Sequence, residues 1–131
     1  MDDLDNHILR ILKANARAPF VEIAKEIGLT EGAVRARVAK LVKCGSIKRF
    51  TVEAIGDVRA IVMVATSRSV STTSVADSIR KLGIDRTYEI SGNFDIICFV
   101  ESNAMEDTNI IVEKIRSIDG VTDTSTSLVL K

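Results

Sequence analysis

Tryptophan is absent from this sequence, tyrosine and proline occur once each, and eighteen basic residues are cancelled by eighteen acidic ones. Each shortage narrows the field. One proline leaves few forced breaks in helices. Without paired aromatics on its apolar runs (Phe99 stands alone) the chain lacks the platform on which single-stranded bases stack. The two cysteines, Cys44 and Cys98, lie far apart in apolar settings and read as buried, reduced thiols, not a disulfide framework. No apolar run approaches the ~20 residues of a membrane span. The opening "MDDLDN" is acidic where a signal peptide is basic, so the expected location is cytoplasmic. No nucleophile–base pairing, phosphate-cradling glycine loop or metal-ligand spacing occurs, and His7 has no second histidine or cysteine near it. An enzyme, a metal centre and a bound cofactor are therefore not expected.

The 131 residues, 46% hydrophobic and 27% charged, suit one ordinary globular domain or two small ones. Charge is unevenly spread. Residues 1–52 hold ten bases against six acids, whereas residues 53–131 hold eight against twelve. Halves of opposite sign indicate two modules with different tasks, and the basic one is suited to a polyanion.

Periodicity divides the basic half into three helices. Leu4, Ile8, Ile11 and Leu12 form an apolar stripe, with Asp2 or Asp3 placed to cap it. Pro19 suits the first turn of a second helix, whose stripe is Phe20, Ile23, Ala24 and Ile27, and Gly28 is placed to stop it. Thr30 is a good N-cap for a third, with Val34, Val38 and Leu41 inward and Gly45 at its end. Two helices separated by Gly-Leu-Thr have helix-turn-helix spacing. The alternation in "SIKRFTVE" predicts a strand leaving this unit, followed by a short connector near "AIGD".

The remainder reads β-α-β-β-α-β. "RAIVMVAT" (59–66) and "DIICFVE" (95–101) are solid apolar runs, "IDRTYEIS" alternates like an edge strand, and "VTDTSTSLVL" closes the pattern. Between them lie helices with Val75, Ile79 and Leu82 inward, then Met105, Thr108, Ile111, Val112, Ile115 and Ile118 inward. This is the order of a ferredoxin-like domain with an antiparallel sheet and both helices on one face. The fold expected is thus α+β, an all-α helix-turn-helix domain over 1–55 and a ferredoxin-like domain over 56–131. Central strands apolar at every position need cover on both faces, and a second copy of the sheet is the simplest cover for the open one. A dimer is expected.

Two stretches carry candidate chemistry. With Val34 inward, Gly32, Ala36, Lys40 and Lys43 point outward on the third helix, and Arg35 and Arg37 flank them. Small outer residues permit close approach to base edges, and cations reach phosphates. Thr30 and the first-turn N–H groups, Glu31 and Gly32 included, form an anion-binding helix start. Within residues 28–50, Glu31 is the single acid among six bases, which argues against a merely salt-bridged face. Lys48 and Arg49 either touch phosphate or solvate a strand. In "ISGNFDII" (90–97), Gly92 and Asn93 signal a hairpin turn. Asp95 beside it has two readings: an incidental turn carboxylate, or the partner of an amino acid's ammonium group while backbone N–H groups hold its carboxylate.

The stretches "LDNHILRILKANAR", "IAKEIGLTEGAVRARVAKLVKCGSIKRF" and "SGNFD" together resemble the Lrp/AsnC, or feast/famine, family of prokaryotic transcription regulators over essentially the whole chain. "IKRFTVE" and "RAIVMV" look most like archaeal members associated with lysine biosynthesis. The resemblance implies an amino-acid-responsive regulator of double-stranded DNA, binding pseudo-palindromic sites as dimers that assemble to tetramers, octamers or larger rings. It places the effector between dimers near the Gly-x-x-Asp turn, here Gly92, Asn93, Phe94 and Asp95, with Thr124 and Thr126 of the last strand as neighbours. The turn carries Asn-Phe where Glu-Tyr or Asp-Tyr is common, so the resemblance does not name the effector. The competing expectation is an architectural protein that wraps DNA with little sequence preference, whose binding tracks salt strongly and sequence weakly.

Overall fold

The computed structural model describes residues 1–54 and 58–131; the domain boundary expected at 55/56, within the short connector, lies outside the described residues. The chain forms two compact units, Met1–Ala54 and Ile55–Lys131. No helix among the described residues is long and apolar enough to cross a membrane.

The first unit holds α1 (Asp3–Ala14), α2 (Phe20–Ile27) and α3 (Glu31–Lys43). Asp2 caps α1 in a reciprocal box with Asp5, satisfying two N–H groups that a helix start leaves open. Pro19 sits one residue earlier than expected, as the N-cap of α2. Gly28 takes a left-handed φ of 71° at the end of α2, turning the chain into Leu29 and Thr30, and the Thr30 hydroxyl caps α3. Ile8, Leu12, Ile23, Ala24, Val34, Val38 and Leu41 make one core that fastens the three helices together.

Residues 46–53 differ from expectation, for they form no strand. Their alternation favours extended backbone, but a strand needs a neighbour for its N–H and C=O groups. No strand ladder among the described residues includes them, and Phe50 and Val52 remain exposed. Cys44 is likewise exposed, not buried, because it lies at the end of α3 beyond Leu41, the last residue of the helix in the core.

The second unit runs β1 (Val58–Thr66), α4 (Thr72–Lys81), β2 (Thr87–Glu89), β3 (Ile96–Ser102), α5 (Met105–Arg116) and β4 (Val121–Leu128). Its antiparallel sheet has the order β2-β3-β1-β4, so the two solid apolar runs occupy the centre as their composition requires. Ala60, Val62, Val64, Ile96, Cys98 and Val100 pack with Val75, Ala76, Ile79 and Ile115 of the helices. Residues between them, Ile61, Met63, Ala65, Ile97 and Phe99, lie on the open face and are half-buried. Leu82 and Met105 do not reach the core. Leu82 is 42% exposed as the cap beyond α4, where Ile84 folds inward instead, and Met105 is 41% exposed in the first turn of α5.

Candidate nucleic-acid face and ligand turn

The outer side of α3 collects most residues expected to meet DNA. Thr30, Glu31, Gly32, Arg35, Ala36, Lys40 and Lys43 are exposed, and Arg37 is half-buried. Ala39 belongs with them, exposed one turn beyond Arg35 and Ala36. The 3.6-residue period, carried one turn past Ala36, identifies it. The Thr30 Oγ1 accepts from Ala33 N–H at 3.2 Å, so the hydroxyl is committed to the cap while the Glu31 and Gly32 N–H groups keep no intrahelical acceptor. Lys40 and Lys43 have no carboxylate within ion-pair distance among the described residues.

Two arginines are engaged. Arg35 pairs with Glu31 across one turn at 2.7 Å, and its guanidinium lies 5.3 Å from the centre of the Phe20 ring. Both partners of that pair are more than half exposed, where an ion pair adds little. Arg37 corrects the expectation that only Glu31 is available for pairing. Its Nη1 donates to Asp2 at 2.7 Å and to Asp5 at 2.8 Å, because packing brings the start of α1 against the middle of α3. The Arg37 guanidinium and the Asp2 N–H hold the Asp5 carboxyl below its ordinary range; the Asp5 N–H, then Arg37, do the same for Asp2. The two carboxylates in turn raise Arg37.

At the second candidate site, Gly92 adopts φ 129°, a conformation that side-chain-bearing residues rarely reach, and it sets the turn between β2 and β3. The N–H groups of Gly92, Asn93 and Phe94 make no hydrogen bond among the described residues. Asp95 has a structural task that sequence reasoning missed. Its Oδ2 accepts from Thr66 N–H at 2.8 Å, and its own N–H donates to the Val64 carbonyl at 2.9 Å. The register of β4 shifts between Ala65 and Thr66, and a carboxylate there supplies an acceptor at the end of β1. The other oxygen, Oδ1, has no partner among the described residues.

Thr124 and Thr126 pair with Val64 and Val62 on the far side of β1 from β3. Thr124 is therefore two strand spacings from Asp95, roughly 10 Å, and Thr126 is farther. One copy does not bring these threonines to the turn. The same end of the sheet is completed by Gly120, whose carbonyl accepts from Ser67 N–H at 2.7 Å. No group of three or more His, Cys, Asp or Glu residues able to hold a metal occurs among the described residues.

Comparison with known proteins agrees with both halves. The AsnC-type helix-turn-helix domain matches residues 1–42, and the Lrp/AsnC ligand binding domain matches residues 59–131. The HTH-type transcriptional regulators LysM of Sulfurisphaera tokodaii and Saccharolobus solfataricus are 41% and 40% identical over the whole of this chain, which spans 96% and 94% of theirs. A feast or famine regulatory protein from M. tuberculosis, solved in complex with L-methionine, has the same fold at a TM-score of 0.82 and 22% identity, covering 99% of this chain and 92% of its own. The chain belongs to the Lrp/AsnC family: it is a DNA-binding transcription regulator that joins a helix-turn-helix to a ligand-binding domain, and it is not an enzyme.

Proposed function

We propose that this regulator reads operator DNA in the cytoplasm through α3, and that a free amino acid at the Gly92–Asp95 turn adjusts that binding. The observation carrying the DNA reading is the outer face of α3. Gly32, Ala36 and Ala39 give it low relief, and Lys40 and Lys43 lack internal partners among the described residues. A low face approaches base edges closely while the lysines reach phosphates on the rim. Thr30, Glu31 and Arg35 line its leading edge, the last two as a paired, hydrogen-bonding couple.

The open sheet face supports a dimer. Ile61, Met63, Ala65, Ile97 and Phe99 form a contiguous apolar surface, and a second copy is its natural cover in a two-fold assembly. Such a dimer presents two α3 helices to successive major grooves, about 34 Å apart, so its sites are pseudo-palindromic. Dimers assemble further, and the distance of Thr124 and Thr126 from the turn in one copy supports an effector site completed by a neighbour. The open Gly92, Asn93 and Phe94 N–H groups suit an α-carboxylate, and the unpartnered Oδ1 of Asp95 suits an α-ammonium. The methionine complex of the mycobacterial protein supports the ligand class.

Selection of duplexes from a random pool, repeated with and without each of the twenty amino acids, tests the proposal. The expected result is enrichment of inverted half-sites about 10 base pairs apart, with affinity changed by one or a few amino acids. Binding that follows salt but enriches no sequence defeats it and favours the architectural alternative. The zero net charge of the chain already weighs against that alternative.

A further inference from the structure

Arg37 stands on α3 between Ala36 on the exposed face and Val38 in the core. One of its nitrogens spans both carboxylates of the α1 capping box, 2.7 Å from Asp2 Oδ2 and 2.8 Å from Asp5 Oδ1. The other oxygens are also committed: Asp2 Oδ1 accepts from Asp5 N–H at 2.8 Å, and Asp5 Oδ2 from Asp2 N–H at 3.2 Å. The Asp5 side chain is 8% exposed and that of Arg37 29%. Two acids on one cation leave the cluster negative, which is the wrong sign for a phosphate. A single Nη1 shared by two charged carboxylates does, however, resist rotation of α3 against α1, because one or other charge-assisted bond lengthens when the helix turns.

We infer that Arg37 is a positioning residue, which ties the start of α1 to the middle of α3 and sets the rotation at which the α3 face meets DNA, without touching phosphate itself. The inference rests on the reading of α3 as the DNA-contacting helix. It assigns Arg37 a role different from that of Lys40 and Lys43, although all three are cations of the same helix.

The two roles differ in sign when an acid is removed. Asp2→Asn and Asp5→Asn each remove one of the two carboxylates that hold Arg37, loosening the tie, and add one unit of positive charge. An Arg37 that contacts phosphate then binds DNA more tightly, with a steeper salt dependence. A positioning Arg37 loses specific affinity instead. Asparagine caps a helix as well as aspartate does, and Asp2 is 55% exposed, so Asp2→Asn keeps the fold and decides the matter even if Asp5→Asn unfolds.

The experiment titrates the full chain against an enriched duplex and a random-sequence duplex at several salt concentrations, with folding checked by circular dichroism. Asp2→Asn and Arg37→Gln are expected to bind the enriched duplex roughly tenfold more weakly, the scale of one mismatched base pair. Random duplex is bound within about twofold, and the salt slope is unchanged. Lys40→Ala is expected to weaken both duplexes and to flatten the slope by about 0.9 for each phosphate that the lysine no longer neutralises. Tighter or unchanged binding by Asp2→Asn, or a flattened slope in Arg37→Gln, overturns the inference while leaving the α3 reading intact. If Lys40→Ala changes neither affinity nor slope, the α3 reading fails and the inference falls with it.

Discussion

Replacing Gly32 with alanine separates what the fold needs from what DNA binding needs. Alone among the described glycines, Gly32 has no positive φ, and a Cβ built on it meets nothing within 4 Å. It stands in the first turn of α3, where glycine is a poor helix former and nothing in the packing asks for it. Gly→Ala at a compatible helical position stabilises by about 0.4–1 kcal/mol, mainly by restricting the unfolded chain. For a chain of this size that raises the melting temperature by about 2–4 °C. The added methyl stands on the face proposed to meet base edges, and displacing the helix there costs about 1–3 kcal/mol per half-site, five- to 150-fold in affinity. The expected outcome is a more stable protein that binds its enriched duplex less well. Thermal unfolding and gel-shift titration of the same preparation measure both. If Gly32→Ala melts higher and binds DNA as the parent does, the low relief of α3 has no part in recognition and the argument from small residues is wrong.

Other substitutions probe the second unit and the Arg37–Asp2–Asp5 cluster. Gly120→Ala is expected to destabilise by about 2–4 kcal/mol, since φ there is 96° and the new Cβ falls 2.8 Å from that of Val70; calorimetry reads it. Asp95→Asn keeps an oxygen for the Thr66 N–H and is expected to retain the parent melting temperature while losing amino-acid-induced thermal shifts. Asp95→Ala leaves that N–H unpaired and loses about 1–3 kcal/mol besides; an Asn variant that still responds removes Asp95 from the effector site. Met63→Glu places a carboxylate on the open sheet face, and sedimentation should find monomers. A dimer that persists means that the two copies meet elsewhere. Asp2 and Asp5 have folded pKa values depressed below 3.8, so the unfolded chain binds more protons as the pH falls toward and below that value. The stability they contribute is complete above about pH 5 and is lost as the pH drops through the folded values. Arg37→Gln, which removes part of the depression, is expected to show a shallower fall in melting temperature between pH 5 and 3 than the parent.

Elements whose apolar residues repeat at a helical or strand period were legible in the sequence. Ile8 and Leu12, Ile23 and Ala24, and Val34, Val38 and Leu41 stand in the core as their spacing requires. Leu82 kept the period of α4 but lies outside the core, because the helix ends beneath it and Gly83 reverses the chain. Residues 46–53 have strand-like alternation without a strand, since pairing depends on a neighbour that local sequence does not specify. The helical face of α3 was legible from its spacing, the Gly92 turn from its glycine. The engagement of Arg37 and Asp95 was not.

The order of elements, the division into a basic and an acidic half, the α3 face and the family follow from the chain's own pattern of residues, because periodicity and turn chemistry act between neighbours. Which charges are spoken for was decided only by packing. Arg37 meets acids 35 and 32 positions away, and the Asp95 carboxylate meets an N–H 29 positions away. Such pairs form only once apolar burial has set helix against helix and strand against strand, and they engage Arg37 while Lys40 and Lys43 keep no carboxylate partner among the described residues.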